Sequence, residues 1–265
     1  MRRNLASYST CQVFLNYPFD EDFASLANAM AFAVVAAGLL PVCARDLTVP
    51  DKPRLETLLE VIRNCQYSAH DFSRFTGEGP TNLARMNMPI EMGMAVFFAL
   101  DTQHRNHRCA FFVSTPHDYQ AFASDLAGLD PKYHASDEMR LLVEMYEWLR
   151  AVVPASLFNS IPSTEVVAKF RDFKERLTYV NCTGTDGRPS HDETREVMYE
   201  LCAQHGWWDW RGTRMGKEEF PPIPIDWKAA QPVLDAPMCA ECGMVMVREG
   251  TFYRCSSCAS TNGGV

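Results

Sequence analysis

Apolar positions in the first half of the chain switch repeatedly between strand-like and helix-like spacing. Residues 12–16 are a short apolar run that predicts a buried strand, with Asp20 placed to cap a helix after it. Over 21–37, Phe23, Leu26, Ala27, Met30, Val34 and Val35 recur on one helical face, and Gly38 is set to end the helix. Residues 39–44 predict a second strand, and 53–65 a second helix with Leu55, Leu58, Leu59 and Ile62 on one side. A third strand is expected over 66–72, a polar loop over 73–85, a third helix over 87–100 and a fourth strand over 108–114. Asn87 reads as the N-cap of that third helix, with Pro89 in its first turn, where proline is tolerated. Strands alternating with helices imply an α/β fold. A flavodoxin-like parallel sheet with helices on both faces is expected to end near residue 130.

The pattern then becomes helical. Residues 136–153, 162–177 and 192–205 carry helix-period apolar faces, and Trp207, Trp208 and Trp210 follow as anchors for a tail. Residues 218–237 are proline-rich and aperiodic, which predicts a linker. The expected organisation is therefore an α/β domain over 1–130, a helical extension over 131–217, a linker over 218–237 and a small module over 238–265.

Composition narrows the classes. Of the 265 residues, 47% are hydrophobic, enough for a substantial core. A net charge of −8 argues against a broad nucleic-acid surface, though not against a small nucleotide. No apolar run reads as a signal peptide or a membrane span, so a cytoplasmic protein is expected. Six of the ten cysteines (Cys11, Cys43, Cys65, Cys109, Cys182, Cys202) lie scattered among apolar residues and read as reduced core cysteines.

The other four form two Cys-x-x-Cys pairs, Cys239/Cys242 and Cys255/Cys258, separated by twelve residues. Two such knuckles at hairpin distance predict a structural Zn²⁺ held by four thiolates. So small a module needs the metal to fold. A redox dithiol pair is the alternative. The stretch 238–262 resembles the zinc ribbons that end vitamin-B12-dependent ribonucleotide reductases.

Candidate chemistry gathers on the loops that follow the strands, because ligands of open α/β sheets bind beyond the strands' carboxyl ends. The first loop carries Asn16, Tyr17, Pro18 and Phe19, the second Asp46, the third Asp71, Ser73 and Arg74. The third runs on through Arg85 and Asn87 to Glu91. Near a helix start, Glu91 is expected to be ionised by the helix dipole. A fixed carboxylate there suits a reaction that develops positive charge, such as glycosidic bond cleavage. Acidic residues also occupy first turns for purely structural reasons, and Asp71 reads equally as a loop cap. Arg74 and Arg85 could hold a phosphate.

Val13 to Phe19, Asp71 and Glu91-x-Gly93-x-Ala95 resemble the nucleoside 2-deoxyribosyltransferase and TIR-like superfamily. Residues 14–20, 70–74 and 85–93 look closer still to a largely uncharacterised prokaryotic branch beside it. The resemblance spans about 12–115. It implies a catalytic role for Glu91 at the anomeric carbon; the loop positions at the carboxyl edge make Asp71 its expected assistant and Asn16, Tyr17, Pro18, Phe19, Asp46, Ser73, Arg74, Arg85 and Asn87 the expected ligand contacts. Phe14 and Arg85 stand where the transferases often carry Tyr and Asp. The arginine points toward a phosphorylated ligand, a nucleotide or NAD. The TIR-like analogy implies a bacterial defence effector. A non-catalytic nucleotide sensor or adaptor, recruiting a partner through the ribbon, is the competing expectation. A homo-oligomer is left open.

Overall fold

The computed structural model describes residues 11–47, 53–74, 86–101, 107–121, 123–124, 128, 130–180 and 189–207, and in the C-terminal stretch only 247–249, 252–254 and 261–262. The chain divides into two units, Met1–Gly212 and Thr213–Val265.

In the first unit, β1 (Gln12–Asn16) pairs in parallel with β2 (Leu40–Cys43) and β3 (Tyr67–Asp71). β3 pairs with β4 (Arg108–Val113), and β4 with β5 (Lys132–Tyr133). The order β2-β1-β3-β4-β5 is all parallel, the flavodoxin-like arrangement in coarse outline. The sheet thus runs past the boundary expected near residue 130, because the two-residue β5 is too short to show a period in the sequence.

Side chains on a strand alternate between faces. Val13, Leu15, Tyr67, Ala69, Ala110 and Phe112 join a core with α1 (Ala24–Ala36), α4 (Glu138–Val152), α5 (Ser163–Leu177) and α6 (His191–Gln204). Phe14, Leu40 and Val42 pack on the other face with α2 (Arg54–Asn64), beside α3 (Asn87–Leu100). The three C-terminal helices therefore share the core of the sheet.

Ten of the thirteen residues of α1 are buried, as expected of a helix enclosed between a sheet and other helices. Phe32 meets Phe170 and Phe173 of α5 with ring centroids 5.3 and 5.4 Å apart. Burying such a ring contributes roughly 1.5–3 kcal/mol. The helix ends in a Schellman motif. Gly38 at φ +83° donates to Val35 O at 2.9 Å, and Leu39 to Val34 O at 3.0 Å. Asn159 seals this end. Its backbone N–H donates to Ala37 O, and its amide donates to Ala36 O and to the carbonyl of Trp207. Trp207 is buried in this core, as expected of an anchor; Trp208 and Trp210 lie outside the described residues.

Among the described residues, no helix is long and apolar enough to cross a membrane. In the second unit, β6 (Val247–Glu249), β7 (Phe252–Arg254) and β8 (Thr261–Asn262) form an antiparallel sheet. Cys239, Cys242, Cys255 and Cys258 lie outside the described residues.

Candidate functional site at the carboxyl edge of the sheet

The strand order reverses between β1 and β3, and the crevice beyond their carboxyl ends is where such sheets bind ligands. A cleft of about 540 Å³ opens there. Phe23 follows β1, Ser73 and Arg74 follow β3, Ser114 follows β4, and Asp137 opens α4, all lining it. Arg74 crosses the reversal point to Asp20 at 3.0 Å and Asp22 at 3.4 Å. On the far wall, Lys174 pairs with Glu138, which also accepts from Ser25. Of the residues singled out from sequence, Ser73 and Arg74 line this cleft. Tyr17, Asp46, Asp71 and Glu91, expected to converge on one cavity, are divided among three places.

Asp71 is fully buried. Its Oδ1 accepts from Ser73 N at 2.9 Å and its Oδ2 from His134 Nε2 at 3.0 Å. Ser136 N donates to His134 Nδ1 at 3.1 Å, so the ring proton sits on Nε2. That same Nε2 lies 2.9 Å from Ser73 Oγ. A Ser-His-Asp relay needs its two partners on opposite ring nitrogens. Here both share one, so the trio fastens the β3 loop to the turn after β5. Asp71 is committed to the fold rather than presented to a ligand.

Asn16 lies on the opposite face of the sheet, at the head of a directed chain of hydrogen bonds. Its Nδ2 donates to His70 Nδ1 at 3.1 Å. His70 Nε2 then donates to Ser68 Oγ at 2.9 Å, Ser68 Oγ to His107 Nε2 at 2.8 Å, and His107 Nδ1 to Cys65 O at 2.9 Å. Burial, reinforced by His107, pushes His70 down to about 3, so it is neutral and not a proton donor near pH 7. Asn16 Nδ2 also donates to Met88 O at 2.9 Å, pinning the first turn of α3 to the end of β1.

Glu91 follows one turn later. It is the fifth residue of α3, 7% exposed, and among the described residues no hydrogen bond holds its carboxyl. Burial raises its pKa to about 7, against the opposing pull of Arg54 on α2. This corrects the expectation of a firmly ionised group. A helix dipole contributes about 0.3–1 kcal/mol and fades beyond the first turn. Desolvation can move a buried carboxyl by several pK units. The N-cap expectation also shifts, since Met86 occupies that position without a side-chain cap and Asn87 is the exposed first helical residue.

The rest of the first loop packs inward. Tyr17 is buried, with its ring 5.2 Å from that of Phe19 and 6.2 Å from that of Phe23, and Pro18 is buried between them in sequence. Arg45 donates to Phe19 O at 2.7 Å and lies over the Phe19 ring at 4.6 Å. Arg85 lies outside the described residues.

The third grouping surrounds Asp46. Cys43 N donates to Asp46 Oδ2 at 2.7 Å, and His191 Nε2 lies 2.7 Å from Asp46 Oδ1. Arg195 NH1 donates to Pro41 O at 3.2 Å, covering a carbonyl of the edge strand β2, and NH2 approaches Asp46 Oδ2 at 4.0 Å. Burial alone would raise Asp46. The His191 hydrogen bond, the Arg195 charge and the Cys43 N–H outweigh it and lower the pKa. His191 is raised to about 9 by its hydrogen bonds with Asp46 and Cys43. Sequence reading missed His191 and Arg195. The only local signal there is the Ser190–Glu193 capping box, which marks a helix start and no chemistry.

The fold and edge define an open, doubly wound α/β domain with a switch-point cleft. No protein-family model and no curated protein matches the chain.

Proposed function

We propose that the α/β body is an N-glycosidase or glycosyl-transferring enzyme acting on a nucleotide, with NAD as the leading ligand and Glu91 as its reactive carboxylate. The observation that carries this reading is the state of Glu91: a buried carboxyl, raised to about 7, with no hydrogen-bond partner among the described residues. A buried carboxyl without a compensating partner costs stability, and groups so perturbed concentrate at functional sites. Its turn of α3 is pinned to the end of β1 by Asn16, at the edge where such folds bind ligands. The resemblance of residues 12–115 to the deoxyribosyltransferase and TIR-like superfamily supports the same role.

In the proposed reaction the ionised Glu91 faces C1′ of the ribose. The N-glycosidic bond breaks and its electron pair leaves with the base. Water delivers hydroxide to C1′ and its remaining proton passes to the base or to solvent. Arg74 is a cation of the cleft that a phosphate could recruit, by displacing Asp20 and Asp22. Cys239, Cys242, Cys255 and Cys258 are proposed to hold a structural zinc in the second unit.

A nucleotide-binding module is the second reading. It is favoured by the commitment of Asp71 and His70 to internal hydrogen bonds, which leaves Glu91 without an assigned acid or orienting partner. Incubation with NAD and nucleoside monophosphates, followed by chromatography for free base, separates the two. Enzyme-dependent base release supports catalysis. Saturable binding without release supports the module.

A further inference from the structure

We propose that Cys43, Asp46 and His191 form a binding site for a divalent transition-metal ion, zinc by the chemistry of the donors, at the carboxyl end of β2. His191 Nε2 lies 2.7 Å from Asp46 Oδ1 and 3.9 Å from Cys43 Sγ. All three donor atoms fall within 4.8 Å of one another.

The geometry is convergent rather than serial. A nucleophilic Cys-His-Asp relay puts the thiol on one ring nitrogen and the carboxylate on the other, so that a proton taken from sulfur is balanced from behind. Here sulfur and carboxylate both approach Nε2. Three donors facing one point can share a cation. Zinc with nitrogen and oxygen ligands at ~2.0–2.2 Å and sulfur at ~2.3 Å separates its tetrahedral ligands by roughly 3.3–3.8 Å. The cysteine–histidine separation is already close to that range, and the histidine–aspartate contact would open by roughly half an ångström or slightly more. Thiolate and imidazole together select zinc over magnesium or calcium.

The surroundings fit outer-shell roles. Tyr17 OH donates to Cys43 Sγ at 3.5 Å, and Cys43 N donates to Asp46 Oδ2. Arg195 is buried beside them, and its NH2 has no hydrogen-bond partner among the described residues. Zinc and Arg195 against one thiolate and one carboxylate leave a single positive charge in excess, which suits hydroxide or another anion at the fourth position.

The test uses the full-length chain with Cys239→Ser, Cys242→Ser, Cys255→Ser and Cys258→Ser, which removes the ribbon's thiols. Titration with Co²⁺ should produce a thiolate-to-cobalt charge-transfer band that saturates at one ion per chain and is displaced by zinc. Adding Cys43→Ser should abolish the band. Adding the nearly isosteric Asp46→Asn, with folding checked by circular dichroism, should weaken cobalt binding by more than about ten-fold, the loss that even an outer-shell change brings. The asparagine variant decides the matter should the serine variant fail to fold. No band in the ribbon-less chain overturns the proposal, as does a band that Cys43→Ser and Asp46→Asn leave unchanged. Either result reduces the trio to an ion pair that fastens α6 to β2.

Discussion

At the scale of single residues, Glu91 shows burial winning over a helix terminus. Its carboxyl titrates near 7 in the folded chain, against an ordinary value of 4.5. Below 4.5 both folded and unfolded chains hold the proton. Between 4.5 and about 7 the unfolded chain releases it and the folded chain retains it, so stability falls as pH rises and levels off above 7. The loss is on the order of 3 kcal/mol. Glu91→Gln should abolish it. Urea denaturation of both proteins at pH 5 and pH 8 should show a stability gap that widens in the variant's favour by roughly 2–3 kcal/mol at the higher pH; equal gaps at both would place Glu91 in water. Asp71, by contrast, is held on both oxygens, which accept from His134 and Ser73. Asp71→Asn should destabilise the fold by roughly 1–3 kcal/mol, by mispairing a buried donor, measured by the same denaturation. Glu91 and Asp71 were legible as candidates from sequence, but their states were not. Which hydrogen bonds Asp71 makes depends on His134, sixty-three positions away.

At the scale of elements, the hydrophobic period carried most of the information. The third helix falls on the expected residues, and the first four strands lie within a residue or two of their sequence bounds. Caps carried the ends, since Asp20 accepts from Phe23 N and Gly38 closes α1. Asn87 misled because a capping residue type was available one position inside the helix, while the chain enters through Met86. The Gly38 position makes a sharp prediction. A Cβ there would lie 2.9 Å from Asn159 Nδ2, on a backbone at φ +83°. Gly38→Ala should cost at least about 1–2 kcal/mol, from the left-handed backbone alone, read as a lowered urea midpoint. An unchanged midpoint would mean that the Schellman turn is not held as described.

At the scale of the whole molecule, the sequence predicted separate α/β and helical regions. In the structure, α4, α5 and α6 complete the core on one face of the sheet. Long-range packing of this kind has no local signature, and for the same reason His191 and Arg195 could not be connected with Asp46. The proposed C-terminal ribbon rests on local signal instead, the spacing of two cysteine pairs, and those cysteines lie outside the described residues. If the ribbon holds zinc independently of the body, Cys255→Ser in the full chain should lower zinc content by one ion per chain. The main thermal transition should stay in place. Loss of that transition would show that the body depends on the ribbon's metal.

The most direct test of the central claim is the rate of base release from NAD and nucleoside monophosphates by the wild-type chain and by Glu91→Gln, followed by chromatography from pH 5 to 9. The wild-type rate should rise with pH through about 7, as Glu91 ionises. The variant should release base at least about a hundred-fold more slowly across the range, the loss expected for one well-placed electrostatic contact. Equal rates for the two proteins, or no release by the wild type with any of these substrates, would contradict the account.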